Sequence, residues 1–143
     1  MNIRMRLYAS PDYIAKNGTP ERIEDISDHR LICQNPRSAQ VASGLALVQR
    51  LMTYNVSSML TVNNYFGVLQ SVIHGLGIGM LPDYSTQELG SVVRVLPDVE
   101  SVEVPVYLAY PEELRQSKRI AAFRDFVEAE ILATRRRQRD QDA

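Results

Sequence analysis

The chain has 143 residues, 45% of them hydrophobic and 23% charged, and its formal net charge is −1. That length suits one domain or two small subdomains, and a charge so near zero provides no basic field for holding nucleic acid. The single cysteine, Cys33, excludes an internal disulfide and a cysteine metal cluster. No apolar run approaches the ~18 residues of a membrane span. The opening Met-Asn-Ile-Arg-Met-Arg is followed by no signal-peptide core, so a cytoplasmic protein without membrane partners is expected.

Arg4 to Ala9 alternates Arg4, Arg6 and Tyr8 with Met5, Leu7 and Ala9, the period of a strand with one covered face. Ser10-Pro11-Asp12 then supplies an N-cap, a proline for the first helical position and an acid for the first turn, and Gly18 closes the short helix. Glu21 to Ile26 predicts another turn or two of helix, Arg30 to Gln34 a strand carrying Cys33, and Pro36 to Gln40 a loop. In Ala42 to Tyr54 the residues Leu45, Val48, Leu51 and Met52 fit a helical stripe, with irregular chain as the alternative.

Residues 59 to 84 read as a strand, helix, strand unit. Met59 to Val62 is a short apolar run of the kind that makes a buried strand. Asn63 or Asn64 can cap the helix that follows, whose stripe is Val68, Leu69, Val72 and Ile73 and whose end is Gly75. Leu76, Ile78, Met80 and Leu81 form the next apolar run, with Gly77 and Gly79 allowing close approach to its backbone. The helix mouth and the end of that strand can line a cleft, because ligands of open α/β sheets sit outside the carboxyl ends of strands. The same two asparagines would also serve an ordinary unit as caps alone.

Pro82 to Leu89 predicts a short helix ended by Gly90, and Val92 to Leu96 and Val104 to Tyr110 predict strands, the second at an edge or entry position because of Pro105. Ser117 caps a final helix whose expected buried stripe is Ile120, Phe123, Phe126, Val127 and Ile131. The basic run Arg135 to Arg139 reads as a solvated helix end.

Signals for chemistry are sparse. His29 and His74 are not at ligand spacing from each other or from Cys33, and His74 falls in the last turn of its helix, where it complements the dipole. No phosphate loop and no nucleophile elbow occurs, and Glu112 and Glu113 sit beside Arg115 and Lys118 as surface charge. No catalytic residue, metal ligand or cofactor is therefore expected, and the chain is not read as an enzyme.

One ordered series of short motifs remains. It begins Leu7-Tyr8-Ala9-Ser10-Pro11-Asp12-Tyr13-Ile14, Gly18-Thr19-Pro20 and Asp25-Ile26-Ser27-Asp28-His29. It continues through Val62-Asn63-Asn64, Gly75-Leu76-Gly77-Ile78, Leu81-Pro82-Asp83-Tyr84, Val93-Arg94-Val95-Leu96-Pro97, Val106-Tyr107 and Tyr110-Pro111. It closes with Arg119-Ile120-Ala121-Ala122-Phe123-Arg124-Asp125-Phe126. In that order, over nearly the whole chain, the series resembles the C-terminal effector-binding domain of LysR-type transcriptional regulators, most loosely over Arg37 to Tyr54.

The resemblance implies an α/β fold of the type 2 periplasmic-binding-protein kind, with one complete subdomain and the C-terminal part of the other. Residues 10–97 would be the second subdomain, and 1–9 and 98–143 the crossover strands and the end of the first. The winged helix-turn-helix and roughly the first third of the effector domain would be missing, so DNA would be reached only through that absent N-terminal domain. The implied function is sensing of a small polar or anionic effector within a homodimer or tetramer. Asn63, Asn64 and Tyr65 would contact the effector, with Ser10, Met80 and Leu81 as the nearby wall. A solute-binding protein of a transport system shares the fold and is the alternative, although no leader or lipoprotein cysteine stands near the start. A truncated remnant that pairs with full-length regulators is the other.

Overall fold

A computed structural model of the chain describes residues 2–35, 45–54, 56, 58–83, 91–100 and 102–141. The chain separates into two compact units, one to Pro105 and one from Val106.

The first unit is a single mixed sheet. Its strands are β1 (Asn2–Ala9), β2 (Arg30–Gln34), β3 (Ser58–Val62), β4 (Ile78–Pro82), β5 (Val93–Arg94) and β6 (Val102–Pro105), in the order β3-β2-β4-β1-β5, with β6 also on β1. β2 is parallel to β3 and to β4, and β1 is antiparallel to β4, β5 and β6. Helix α1 (Pro11–Asn17), a 3-10 turn (Ile23–Asp28) and α2 (Leu45–Met52) bury Tyr13, Ile26, Leu47 and Leu51 with Leu7, Leu31, Cys33 and Ile78 on one face. Helix α3 (Tyr65–Ile73) buries Val68 and Val72 with Tyr8, Ile32 and Leu81 on the other.

The short elements form for the reasons their sequences state. Ser10 Oγ accepts from Tyr13 N at 3.1 Å to cap α1, and Gly18 leaves it at φ +84°. The Asp25 carboxylate accepts from Arg22 N at 2.9 Å and Glu21 N at 3.0 Å, bonds that hold its pKa below the ordinary value. Gly75 ends α3 at φ +72°.

Several expectations need correction. The end of β1, Leu7 to Ala9, is covered on both faces, since Tyr8 is as buried as Leu7 and Ala9, because α3 crosses the face that a lone amphipathic strand would leave to water. β3 is an edge strand, half-buried in alternation, with Met59 46% exposed. In α2 the buried pair is Leu47 and Leu51, while Met52 is exposed. β5 keeps only two residues of the predicted strand because the chain turns at Leu96, a buried residue at φ +51°. β6 starts at Val102 and stops at Pro105, which has no N–H to extend a ladder, so Val106 to Tyr110 is not strand. The expected loop at Pro36 to Gln40 and the expected helix after Asp83 lie outside the described residues, as does the side chain of Leu45.

The second unit holds a 3-10 turn (Glu112–Leu114) and the helix α4 (Lys118–Gln141). Its predicted stripe is only partly buried: Ile120, Val127 and Ile131 are half-buried, but Phe123 and Phe126 are exposed. Neither core cluster includes a residue of this unit. Of the basic run, Arg136 is exposed and the other arginine side chains lie outside the described residues.

Two interactions tie helices to the sheet. A Cβ on Gly79 would stand 2.6 Å from Val72 Cγ2 and 3.0 Å from Val68 Cγ1, so α3 rests directly on the backbone of β4. Below the other face, the Tyr13 hydroxyl accepts from Arg30 N at 3.0 Å and lies 3.2 Å from His29 Nδ1. With its oxygen taken, the phenol proton is directed at Nδ1, which accepts it when His29 is neutral. His29 is 5% exposed, and burial lowers its pKa despite Asp28 and Asp25.

Gly79→Ala is expected to cost about 1–3 kcal/mol through overpacking. Adding Val72→Ala should restore part of that loss in urea unfolding followed by circular dichroism; unchanged stability of the single variant would contradict the contact. His29 sets a pH dependence whose sign follows from its lowered folded pKa. The unfolded chain protonates first as pH falls below about 6.5, so this contribution is complete above that pH and is lost on going down through the folded pKa. The urea midpoint should drop over that window in the parent and drop less in His29→Gln; parallel profiles would exclude the assignment.

Candidate functional site

Three parallel strands point their carboxyl ends at one edge of the sheet, and two of them part company there. The ladder between β2 and β4 joins only Leu31 with Ile78 and Ile32 with Gly79. Beyond those pairs Cys33 and Gln34 continue with β3, at Thr61 and Val62, while Met80 and Leu81 continue with β1, at Leu7 and Arg6. The chain leaving β2 goes on to β3 and the chain leaving β4 goes on to β5, on opposite sides of the pair. Such a reversal opens a crevice at the carboxyl ends, the usual ligand site of open α/β sheets.

An apolar pocket of about 70 Å³ occupies the opening. Cys33 and Gln34 line it from β2, Met80 from β4, Met5 from β1, Leu51 from α2 and Tyr65 from α3. The Cys33 thiol is buried and burial alone pushes its pKa up to about 11, so it is a protonated wall atom rather than a nucleophile.

The mouth of α3 adjoins this pocket through Tyr65. Asn64 is the N-cap, its Oδ1 accepting from Gly67 N at 2.8 Å. Its Nδ2 donates to Asn63 Oδ1, also at 2.8 Å. Each amide oxygen accepts one of these bonds and keeps a second lone pair, so the mouth can both donate and accept. At the other end of α3 His74 Nδ1 donates to the Gln70 carbonyl at 2.8 Å, the capping role its position predicted.

The structure brings Asn63, Asn64, Tyr65 and Met80 to one edge, with Leu81 beside them only through its backbone, because its side chain is fully buried under α3. Ser10 is elsewhere. β1 runs antiparallel to β4, so Ser10 follows the opposite edge, and its Oγ lies 3.2 Å from where a Cβ on Gly75 would be. The length of α3, about 14 Å at 1.5 Å per residue, separates that point from Asn64. Ser10 is buried and occupied as the cap of α1.

Three residues that pattern reading passes over belong to this edge. Gln34 and Cys33 sit where β2 leaves β4, which only the pairing register reveals. Arg6 lies opposite Leu81 and, by strand alternation, on the α3 face with Tyr8. Its Nε is buried with no hydrogen-bond acceptor among the described residues. The described residues contain no group of three or more His, Cys, Asp or Glu that could hold a metal ion.

Residues 1–131 match the family model of the LysR substrate binding domain. The chain belongs to the LysR substrate-binding domain family. An uncharacterized HTH-type transcriptional regulator of Escherichia coli, YhjC, is 28% identical over 120 residues, 80% of this chain but 40% of that protein. The HTH-type transcriptional regulator CrgA of Neisseria meningitidis is 26% identical over 133 residues, 90% of this chain and 44% of CrgA. The chain therefore spans less than half the length of these curated relatives. In structure it is similar to the CrgA regulatory domain, with a TM-score of 0.66 at 22% identity, covering 91% of this chain and 65% of that one. The effector domain of the regulator AmpR of Pseudomonas aeruginosa gives 0.60 at 16% identity, covering 96% and 66%. The fold of this LysR-family chain is accordingly the α/β, type 2 periplasmic-binding-protein-like one.

Asn64→Ala should destabilise the LysR-family chain by about 1 kcal/mol by uncapping α3, whereas Asn64→Ser should hold within a few tenths. Thermal melts of the two variants check this, and equal melting temperatures would remove Asn64 from the cap.

Proposed function

We propose that the chain is the effector-sensing part of a LysR-type bacterial transcriptional regulator. The match over residues 1–131, coinciding with a split sheet edge whose mouth presents N–H donors, carries this reading. Residues 10–97 act as the second subdomain, and 1–9 and 98–143 as crossover strands and the C-terminal part of the first. The effector is small and polar or anionic. Asn63, Asn64 and Tyr65 hold it, with Met80 and the backbone of Leu81 as the wall; Ser10, the sixth residue of the expected set, acts at a distance by anchoring α1.

The work is binding rather than catalysis. A donor-rich helix mouth beside an apolar pocket orients a ligand and offers no paired acid and base. Regulation then requires that the effector bind one arrangement of the oligomer more tightly than another, since only differential affinity shifts an equilibrium. The functional assembly is a cytoplasmic homodimer or tetramer, and DNA is contacted through a helix-turn-helix domain outside these residues. The names of the relatives, all transcriptional regulators, favour this over transport.

A thermal-shift screen of small monocarboxylates, dicarboxylates and aromatic acids tests the site. A ligand at a hundred times its Kd stabilises by about 2.7 kcal/mol, enough to read as a rise in Tm. Asn63→Ala and the cap-preserving Asn64→Ser should both diminish that rise. The same substitutions at the chromosomal locus should blunt effector-dependent transcription of neighbouring genes. A panel without any shift, or a shift indifferent to both substitutions, would refute the assignment.

A further inference from the structure

We propose that the pocket where β2 and β4 part is a site for a soft monovalent metal ion, Cu(I), held by the Cys33 thiolate and the Met5 and Met80 thioethers. This site needs neither Asn63 nor Asn64, so it stands or falls apart from the effector contacts proposed above.

The pairing register gathers the three sulfurs. Leu31 pairs with Ile78, so two residues on, where the ladder has ended, Cys33 and Met80 come level on one face of the sheet. Met80 lies opposite Leu7, and Met5 is two residues before Leu7 on the same side of β1. Neighbouring strands stand ~4.8 Å apart, and diagonal neighbours at ~7–8 Å are within reach of long side chains. Each thioether turns on three rotatable bonds, so both can close on a point beside the thiol at the ~2.3 Å of a metal–thiolate bond. What lies between them is open space: the cavity measures about 70 Å³. Native cores hold few voids larger than a water molecule, whose share of liquid volume is ~30 Å³. The chain has five methionines and one cysteine, and Met5, Met80 and Cys33 all line this cavity, while Met52 and Met59 are exposed and off its lining.

Charge arithmetic selects the metal. No charged side chain is among the lining residues. A monovalent cation on one thiolate makes a neutral complex, whereas a divalent ion would leave a positive charge unpaired in apolar surroundings. Thiolate and thioether ligands select Cu(I), while Zn²⁺ asks for four nitrogen, sulfur or oxygen ligands. The described residues contain no cluster of His, Cys, Asp or Glu to supply them. Binding is ligand exchange without a change of oxidation state. Cys33 gives its S–H proton to solvent as the sulfur–copper bond forms, a lone pair from each thioether completes a trigonal set, and the ion's previous neutral ligands leave. Burial keeps the free thiol protonated, its pKa pushed up to about 11, so each ion bound near neutral pH releases a proton.

The test titrates the whole 143-residue chain, reduced, free of oxygen and labelled with ¹³C at the methionine methyls. Cu(I) is supplied as its acetonitrile complex and Ag(I) as a redox-inert stand-in, with a chromogenic Cu(I) chelator in competition to read affinity. The expected result is one ion per chain and movement of the Met5 and Met80 methyls, while Met52 and Met59 stay fixed. Affinity should rise about tenfold per pH unit between about pH 6 and 8, the signature of one displaced proton. Cys33→Ala should abolish binding. Met5→Leu and Met80→Leu, which keep the core volume, should each weaken it about tenfold or more, the scale on which even outer-shell changes act. Met52→Leu should change nothing, and Zn(II) should leave the Met5 and Met80 methyls in place.

A bound ion with the Met5 and Met80 methyls unmoved would reduce the site to a lone thiol and overturn the assignment. Binding that survives Cys33→Ala, that ignores both leucine substitutions, or that the chelator removes from the first equivalent onward would also overturn it. Copper taken up only as the folded spectrum collapses would belong to the unfolded chain and would exclude the site as well. None of these outcomes bears on Asn63 and Asn64, whose role the carboxylate screen decides.

Discussion

The contact of α3 with the bare backbone of β4 at Gly79 is the constraint on which the rest of the first unit depends. Val72 and Val68 lie so close to that position that any side chain would displace the helix. Held there, α3 covers Tyr8, Ile32 and Leu81 on the face of the sheet opposite α1 and α2. The same contact fixes where the N-terminus of α3 comes to rest. The helix begins over the carboxyl ends of the strands it crosses, and its donors are therefore presented at the edge where β2 and β4 separate.

The separation of β2 from β4 is the second half of the design. Two strands paired over only two residues, each continuing with a different neighbour, leave a wedge that no side chain of the sheet fills completely. Apolar side chains line most of the wedge, and the Asn63–Asn64 amides stand beside it at the mouth of α3. The buried thiol of Cys33 belongs to the dry part. Its environment disfavours the thiolate, which distinguishes it from the electropositive settings in which cysteines react.

Stability and site are coupled through shared residues. Asn64 caps the helix and faces the mouth, Tyr65 joins the mouth to the pocket, and Met80 stands between the core beneath α2 and the open wedge. The Tyr13–His29 pair lies away from all of these and serves the other face, fastening α1 to the start of β2.

Local elements were legible in the amino-acid order because their causes are local. Ser10-Pro11-Asp12 before α1, Gly18 and Gly75 at positive φ, the cap at Asn64 and the run Arg30 to Gln34 each depend on neighbours within a few positions. The ordered motifs likewise carried the family and its fold. What stayed hidden depends on which strand lies beside which. Tyr8 reads as an exposed position until α3 covers it, and Met59 to Val62 reads as buried until β3 proves to be an edge. Phe123 and Phe126 fit a buried helical stripe, yet in α4 they face outward, because periodicity names a face without supplying anything to cover it. The site divides in the same way. Asn63, Asn64 and Met80 could be named from a helix mouth and a strand end, and Tyr65 from the family resemblance. That Ser10 stands about 14 Å off, that Leu81 turns under the helix, and that Cys33, Gln34 and Arg6 join the edge were decided by antiparallel direction and register, which are properties of paired strands and not of any one of them.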